Sequence, residues 1–257
     1  MTPVERLEPT APASVEQVLA GVRPRERAHD ARPYVYVNMI STVDGRATVD
    51  GRSAGLGDDA DLATMLELRT LADAVLIGPG TLRAEGYDRL VRDPARRERR
   101  RAAGQAEDPT AVVISRGLDV PWDAGLFAAP EQPVLVYTGV PGSPPAVAAP
   151  VELVQLDVAT PASALADLRA RGILAVLCEG GPTLNRALLS AGLVDELFVT
   201  LAPLAVGGDA EPAIVTGPPL ASPAELELSH VLRHGDELLL RYRVASRDSR
   251  RAASPAH

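Results

Sequence analysis

The chain has 257 residues, a formal net charge of −8 and 46% hydrophobic residues. This length allows a sizeable core in one or two domains, and the composition is that of a globular protein. The acidic balance disfavours broad electrostatic binding to nucleic acid or to an anionic membrane, so neither partner is expected. No apolar run reaches the length of a membrane span. The beginning of the chain lacks a signal-peptide pattern and the single cysteine permits no internal disulfide, so we expect a cytoplasmic location.

All 26 basic residues are arginine, because the sequence contains no lysine. A single arginine is therefore weaker evidence for phosphate binding here than in a chain that uses both residues. The densest run, residues 96–101, is predicted to be a solvated helix or loop between two strands. A nucleic-acid site at this run is the less favoured alternative, because the whole chain is acidic.

Residues 1–32 are rich in proline and arginine and are predicted to form an N-terminal arm with one short helix. Ser14 and Gln17 fit a capping box that opens this helix over residues 15–22. We expect the arm to pack on the surface or on a neighbouring subunit. Residues 33–245 are predicted to form one domain, and residues 246–257 a flexible polar tail.

Strand and helix patterns alternate within residues 33–245. The predicted strands are 34–40, 74–78, 111–115, 134–138, 173–178, 196–201, 225–230 and 237–244. The predicted helices are 58–71, 162–171 and one that opens at Pro182. Apolar strands alternating with helices predict an α/β fold with a largely parallel sheet covered on both faces. The strand-rich end of the chain is expected to complete the sheet with antiparallel strands.

Three of the apolar strands run directly into glycine-rich or hydroxyl-bearing turns, at residues 77–81, 114–117 and 178–183. Ligands of open α/β sheets bind at the carboxyl ends of the strands, where such turns converge. Glycine lets backbone N–H groups approach an anion, and a following helix start adds its positive end. The turns therefore predict a phosphate-rich ligand such as a dinucleotide. A Rossmann fingerprint fits poorly, because Gly78 and Gly80 lack a third glycine and a following acidic partner.

Ser115 and Arg116 end the predicted strand 111–115. A hydroxyl and a guanidinium at this place suit a 2′-phosphate, because arginine offers paired charge-assisted hydrogen bonds. Such a site would select NADPH over NADH. An ordinary exposed turn is an equal alternative from the local pattern alone.

Four segments together resemble a known family. Residues 34–45 (YVYVNMISTVDG), Leu68-Arg69, residues 73–81 (DAVLIGPGT) and residues 179–207, which begin EGGPTL, are similar to the reductase domain of bifunctional riboflavin-biosynthesis deaminase-reductases. The resemblance covers residues 33–245. It implies a three-layer, dihydrofolate-reductase-like α/β fold, with a central, mostly parallel mixed sheet and helices on both faces.

The same resemblance implies a function. NADPH would transfer hydride to the ribosyl carbon of an aminouracil ribosyl phosphate, giving the ribitylamino product. The family also implies a homodimer, with residues 193–202 as a possible edge of the interface. Residues 114–118 resemble the 2′-phosphate segment of dihydrofolate reductases, which favours the NADPH interpretation of Ser115 and Arg116.

The resemblance also implies roles for individual residues. Ser41 would lie near the nicotinamide or its ribose. The rest of the cofactor would contact Gly78, Gly80, Thr81, Glu85, Gly180, Gly181, Pro182, Thr183 and Leu184, together with Ser115 and Arg116. The substrate, a phosphorylated pyrimidine or a pterin-like molecule, would contact Ser53, Arg69, Arg92 and Glu179.

Three of these side chains can also be interpreted from the pattern itself. Arg69 falls on the inward arc of the predicted helix 58–71, so it needs an anion, either a substrate phosphate or a structural carboxylate. Glu179 follows six apolar residues and precedes two glycines, so it should face the cleft as a catalytic carboxylate. Asp44 is a second catalytic candidate, although aspartate in such a turn more often has a turn role.

One loop departs from the family pattern. Riboflavin reductases carry an acidic Asp-(Asn/Asp)-Pro where this chain has Glu85-Gly86-Tyr87. This difference keeps two alternatives open, a reductase of dihydrofolate or another heterocycle and a non-catalytic NADPH-binding protein. No metal site is expected, because Cys178 is the only cysteine and the sequence has no His-x-Glu zinc motif.

Overall fold

The computed structural model describes residues 11–208 and 211–245. Its strands are β1 (Tyr34–Thr42), β2 (Ala74–Ile77), β3 (Thr110–Ile114), β4 (Val134–Thr138), β5 (Val151–Gln155), β6 (Ala175–Cys178), β7 (Glu196–Ala202), β8 (Leu226–His234) and β9 (Glu237–Val244). Its α-helices are α1 (Val15–Leu19), α2 (Asp59–Leu71), α3 (Pro79–Ala84), α4 (Pro94–Ala102), α5 (Pro161–Ala170) and α6 (Pro182–Ser190). The predicted tail, 246–257, lies outside the described residues.

The nine strands form one sheet in the order β5-β4-β3-β2-β6-β1-β7-β9-β8. The pairs from β5 to β7 are parallel, whereas β9 is antiparallel to β7 and β8 is antiparallel to β9. The predicted mixed sheet with an antiparallel end is therefore confirmed. The suggested interface edge, 193–202, contains β7, and both edges of β7 are already paired. A partner could therefore not pair with β7 as a strand, and the place of residues 193–202 in an interface stays a prediction.

Alternate residues of each inner strand enter two separate cores, because side chains along a strand point to opposite faces. On one face Tyr36 packs with Leu68 of α2, and its hydroxyl donates to the Leu68 carbonyl oxygen at 2.9 Å. On the other face Val35 packs in the core that contains Leu165 of α5 and Leu188 of α6. The sheet is thus covered on both faces, as its uninterrupted apolar strands predict.

The described part of the arm packs on its own chain. The Ser14–Gln17 capping box is present, although α1 ends at Leu19 rather than at the predicted Val22. Leu19 and Val22 are buried in the core on the α2 face. Arg32 donates to both carboxylate oxygens of Asp195, at 2.6 and 2.7 Å. Residues 11–32 thus pack against their own chain, and the alternative of a neighbouring subunit stays a prediction.

The arginine-rich run is a helix, and it is less solvated than predicted. Asp93 caps α4, and Arg96 and Arg99 both bind the buried carboxylate of Glu67 on α2. Arg100 is only 1% exposed and donates to the carbonyl oxygens of Arg69, Thr70 and Ala72. A helix ends with carbonyl groups that lack partners. Arg100 satisfies those of α2, a role that hydropathy cannot predict.

Among the residues that the structure describes, no helix is both long and apolar enough to cross a membrane. The longest helix, α2, has 13 residues, fewer than a membrane-spanning helix requires.

The hairpin of β8 and β9 is attached to the start of α2 through a group of titratable side chains. Asp58 caps α2, and its second carboxylate oxygen lies 2.6 Å from Nδ1 of His234. The backbone N–H of Asp58 donates to Glu237 at 3.3 Å. Glu237 is 3% exposed, and burial raises its pKa to about 7.

The raised pKa of Glu237 predicts a pH-dependent stability. The folded state binds more protons than the unfolded state between the ordinary value of 4.5 and about 7. The stabilisation that protonated Glu237 gives the folded state is complete below pH 4.5. It is lost as the pH rises through the folded-state pKa of about 7. We expect Glu237→Gln, which cannot ionise, to gain about 1–3 kcal/mol over the wild type between about pH 5 and pH 8. Urea unfolding at both pH values measures this change.

The matched control is Glu227→Gln, which alters an exposed glutamate of the same hairpin. Its stability relative to the wild type should not change with pH. A difference between Glu237→Gln and wild type that is equal at the two pH values would contradict the role given to burial.

Candidate active site

The predicted turns converge at one edge of the sheet. The strands β3, β2, β6 and β1 are neighbours in this order and are parallel, so their carboxyl ends lie side by side. The convergence follows from the strand order, and it brings together the turns after Ile114, Ile77 and Cys178 as well as the end of β1 at Ser41. Anion-binding turns at adjacent strand ends are typical of dinucleotide sites.

The two glycine turns are in direct contact. The backbone N–H of Gly78 donates to the carbonyl oxygen of Gly180 at 2.6 Å. A Cβ at Gly78 would lie 2.9 Å from the backbone nitrogen of Gly181, and a Cβ at Gly181 would lie 2.6 Å from Oγ1 of Thr81. A Cβ at Gly78 would therefore clash with backbone, whereas a Cβ at Gly181 would require the Thr81 hydroxyl to move.

The same turns leave helix starts without side-chain caps. Gly78 precedes α3 and Gly181 precedes α6, and neither glycine can cap its helix with a side chain. Pro182 is the first residue of α6, where Thr183 is the second. Backbone N–H groups at an uncapped helix start suit a phosphate, so the residues present fit the pyrophosphate of a dinucleotide.

The remaining predicted cofactor residues differ in their burial and hydrogen bonds. Ser115 is buried and its hydroxyl donates to the Asp119 carbonyl oxygen at 3.1 Å, whereas Arg116 is exposed. The Ser41 hydroxyl is buried and donates to the carbonyl oxygen of Thr42 at 3.0 Å. Leu184 packs against the core on the α6 face. Their contact with a cofactor stays a prediction.

Arg69, Glu179 and Tyr87 form a buried cluster next to the glycine turns. Arg69 donates from Nε and Nη2 to the two oxygens of Glu179, at 2.6 and 2.8 Å. The Tyr87 hydroxyl donates to Glu179 at 2.8 Å, and the Arg69 guanidinium lies 5.4 Å from the centre of the Tyr87 ring. Burial and the neighbouring carboxylate raise the pKa of Tyr87 well above its ordinary value. The anion that Arg69 needs is thus Glu179, one of the two possibilities the sequence left open.

Two adjoining cavities meet at this cluster. The larger has a volume of about 730 Å³ and includes Arg69, Leu66 and Arg92 in its lining. The smaller has about 120 Å³ and includes Thr81, Glu179 and Gly181. Both are lined by Ile40, Ser53, Asp61, Met65, Glu85 and Tyr87. The small cavity therefore joins the predicted cofactor turns to the large cavity.

Glu85, predicted on the cofactor side, lies on the boundary between the two cavities. Its carboxylate accepts a hydrogen bond from the backbone N–H of Ser53 at 2.7 Å. This bond holds the 50–55 loop over the cavities. A carboxylate repels phosphate, so the geometry favours a loop-holding or substrate-side role for Glu85 over phosphate contact.

The arginines around the large cavity differ in their freedom. Arg89 and Arg96 each pair at 2.6 Å with a buried carboxylate, that of Asp108 and that of Glu67. Arg92 pairs at 2.7 Å with Asp88, but its side chain is 68% exposed. Such an exposed pair contributes only about 0–1 kcal/mol. Arg92 can therefore exchange its partner for an incoming anion more readily than the other two.

Asp44, the second predicted catalytic carboxylate, has a different position. Its carboxylate accepts hydrogen bonds from the Thr42 hydroxyl at 2.5 Å and from the backbone N–H groups of Val206 and Gly207. These bonds lower its pKa to about 2, so it has no proton to donate at neutral pH. Asp44 lines neither cavity. This geometry favours the turn role of Asp44, which bonds to the backbone of a nearby loop, and a catalytic role for it stays a prediction.

Two polar residues that the sequence analysis did not place in the site, Asp61 and Tyr87, line both cavities. Asp61 belongs to the first turn of α2, where an acidic residue is explained by the helix dipole alone. Tyr87 belongs to the segment that departs from the family pattern, and that departure was the available signal. No group of three or more possible metal ligands occurs among the residues that the structure describes.

The buried ion pair generates a stability prediction. Glu179→Gln leaves the Arg69 guanidinium without a counter-charge, so we expect a loss of about 3 kcal/mol in the free energy of unfolding. Tyr87→Phe removes one hydrogen bond from the same carboxylate and should cost about 1 kcal/mol. Urea unfolding of the two variants and the wild type measures both losses. Equal losses would show that the Arg69–Glu179 pair adds nothing beyond an ordinary hydrogen bond.

The contact between the glycine turns generates a binding prediction. Gly78→Ala places a methyl group against the Gly181 backbone, so we expect dinucleotide binding to weaken by about tenfold or more, equivalent to about 1.4 kcal/mol. Fluorescence titration with NADPH measures the affinity. Gly21→Ala is the control, because a Cβ at Gly21 meets nothing within 4 Å. Unchanged affinity in Gly78→Ala would contradict a cofactor site at these turns.

Comparisons with known proteins agree with this geometry. A family model described as the RibD C-terminal domain matches residues 33–240. The 2,5-diamino-6-ribosylamino-4(3H)-pyrimidinone 5′-phosphate reductase of Methanothermobacter thermautotrophicus is 30% identical over 221 residues, covering 83% of this chain and 99% of that protein. The enzyme of the same name from Archaeoglobus fulgidus is 27% identical over 224 residues, covering 82% of this chain and 99% of that protein.

Solved structures share the fold. A pyrimidine reductase-like protein from Corynebacterium diphtheriae superimposes with a TM-score of 0.77 at 26% identity, over 91% of this chain and 99% of that one. A deaminase/reductase from Thermotoga maritima has a TM-score of 0.68 at 23% identity, over 83% of this chain and 57% of that one. The family model spans most of the chain, and the fold is the dihydrofolate-reductase-like one. This protein therefore belongs to the RibD C-terminal domain family, the reductases of riboflavin biosynthesis.

Proposed function

We propose that this oxidoreductase uses NADPH to reduce the ribosyl group of an aminopyrimidine ribosyl 5′-phosphate to a ribityl group. One observation carries the proposal. The small cavity is lined both by the anion-binding turns, at Thr81 and Gly181, and by the side chains of Ser53 and Glu179, and it adjoins the large cavity. A cofactor on the turns and a substrate in the large cavity would therefore meet at one place.

The turns support a nicotinamide dinucleotide as the hydride donor. Gly78, Gly180 and Gly181 form a cradle that a Cβ would fill, and the backbone N–H groups at the start of α6 would hold the cofactor phosphates. The exposed guanidinium of Arg116, beside Ser115, supports NADPH over NADH, because it can pair with a 2′-phosphate. The bound nicotinamide would supply the hydride, while the protein supplies orientation and electrostatics.

The large cavity supports a phosphorylated substrate. Arg92 lies at its exposed rim and can pair with a phosphate in place of Asp88. Deeper in the site, the Glu179 carboxylate and Ser53 can accept hydrogen bonds from ribose hydroxyl groups. The relatives are named for a ribosylaminopyrimidine phosphate, so dihydrofolate and a non-catalytic role are not favoured.

We further infer a homodimer in the cytoplasm. The edge strand β8 leaves Leu226 and Leu228 41% and 55% exposed. In a symmetric dimer the same surface of both copies forms the interface. Two copies that meet at this edge would therefore bury both leucines of each chain.

The test is oxidation of NADPH by the purified protein, followed by its near-ultraviolet absorbance. The aminopyrimidine ribosyl phosphate and dihydrofolate are supplied separately, with NADH in place of NADPH as the cofactor comparison. We expect turnover with the ribosyl phosphate only. Saturable NADPH binding without turnover of the ribosyl phosphate would contradict the proposed substrate.

The same assay tests the cofactor preference. Arg116→Ala should raise the KM for NADPH by about tenfold, because one paired phosphate contact is lost, and should leave the KM for NADH unchanged. Arg101→Ala is the control, because Arg101 is an exposed arginine of α4 outside both cavities. A similar rise for both cofactors would contradict a 2′-phosphate contact.

A further inference from the structure

The carboxyl group of Asp61 lies where the two cavities meet. Asp61 is the third residue of α2, and its side chain lines both cavities. Its neighbours in the small cavity include Thr81, Glu179 and Gly181, which belong to the proposed cofactor and substrate sides. A carboxyl group at this junction would be close to the atoms between which hydride passes.

The place of Asp61 is built into the backbone. A Cβ at Gly57 would lie 2.5 Å from Oδ2 of Asp61 and 2.7 Å from its Cβ and Cγ. The carboxyl group therefore packs directly against the Gly57 backbone, in space that any other residue at position 57 would fill. This contact directs the side chain beneath the 50–58 loop and into the site.

In the described part of the chain, Asp61 has no basic partner, unlike three of the other carboxylates around the cavities. Glu179 binds Arg69, Asp88 binds Arg92, and Asp58 lies against His234. The structure records no ion pair for Asp61 within residues 11–208 and 211–245. An acid without a counter-charge in a partly buried site is favoured in its protonated form.

The charged and polar groups around Asp61 act in both directions. Burial and the neighbouring Asp58 raise the pKa of Asp61, whereas the nearby Thr200 of β7 lowers it, and the net shift is upward. Glu237 of β9 is a further acidic neighbour, and the Asp61 carboxylate contributes to the raised pKa of Glu237. Across the small cavity lie Glu85 and Glu179, which are also acidic.

The other candidate acids are less suited to donate a proton. Both oxygens of Glu179 already accept hydrogen bonds, from Arg69 and from Tyr87, so a proton on Glu179 would break one of these bonds. Asp44 lies outside both cavities. Glu85 also lines both cavities, but its carboxylate accepts the backbone N–H of Ser53 and so holds the 50–55 loop. Among these acids, Asp61 is the carboxyl group at the junction that neither pairs with an arginine nor holds a loop.

We propose that Asp61 is the catalytic acid of the reduction, which rests on the proposed function. In the ring-opened substrate the ribosyl carbon forms a double bond to the exocyclic nitrogen. A reduced nicotinamide bound at the glycine turns would supply the hydride to this carbon and leave as the oxidised form, and the Asp61 carboxyl group would give its proton to the nitrogen. The carbon–nitrogen double bond becomes a single bond, and the Asp61 carboxylate regains a proton from solvent.

The kinetic test compares Asp61→Asn with the wild type and with Asp167→Asn. The first variant keeps the shape but has no acidic proton, so kcat should fall by about a hundredfold or more while KM changes by less than about threefold. The wild-type rate should fall as the pH rises through the pKa of Asp61, and this limb should be absent in Asp61→Asn. Asp167→Asn makes the same change at a partly buried position of α5, outside both cavities, and should leave the rate unchanged.

A second measurement does not depend on turnover. In the ligand-free protein, NMR of carboxyl-labelled aspartate follows the titration of Asp61, assigned by its absence in Asp61→Glu. We expect a midpoint above the ordinary aspartate pKa of about 3.9. A midpoint at or below that value overturns the proposal, whether or not the substrate is turned over. Asp61→Glu should recover part of the rate lost in Asp61→Asn, since it restores an acidic proton.

The outcomes separate this proposal from the proposed function. If the wild type does not turn over the ribosyl phosphate but Asp61 titrates above the ordinary aspartate value, the proposed substrate is contradicted. The proposal of an acidic group at the junction of the cavities is then still supported. An active wild type with an unchanged rate and pH profile in Asp61→Asn overturns the role of Asp61 and keeps the reductase.

Discussion

The buried ion pair between Arg69 and Glu179 is the constraint on which the site depends. It joins the last turns of α2 to the end of β6, on neighbouring layers of the fold. Burying two charges is unfavourable unless both are fully hydrogen-bonded. Here the Arg69 guanidinium donates two short hydrogen bonds to Glu179 and one to the Leu90 carbonyl oxygen. The Tyr87 hydroxyl donates a third hydrogen bond to the Glu179 carboxylate. Meeting that requirement fixes the segment from Tyr87 to Leu90, which forms one wall of the large cavity.

The glycine turns impose a second constraint at the same edge of the sheet. Adjacent parallel strands, β2 and β6, bring Gly78 and Gly180 within hydrogen-bond distance, so neither turn can carry a side chain between them. Glu179 is the residue immediately before this contact. The polar cluster and the phosphate cradle therefore share one short segment, and a change in either alters the other.

Sequence patterns predicted what depends on local structure. The apolar strands, the capped helix α2 and the turns at strand ends follow from periodicity and glycine placement, and parallel pairing then brings the turns together. The patterns could not predict partners that are distant in sequence. The burial of Arg100, the bond from Tyr87 to Glu179 and the position of Asp61 under Gly57 depend on how the layers pack. The edge strand β5 was not predicted, because its side chains are only partly buried and its sequence lacks the continuous apolar run of the inner strands.

The departure of residues 85–87 from the family pattern is a reorganisation of the site and not a loss. Glu85 holds the backbone of Ser53, and Tyr87 binds Glu179 and lies over Arg69. These contacts assign Glu179 to a permanent hydrogen-bonded role, so proton transfer needs another group. Enzymes separate such roles by placing two carboxyl groups in different environments. Glu179 lies beside a guanidinium, whereas burial and the neighbouring Asp58 raise the pKa of Asp61, so the two carboxyl groups of the site have different environments.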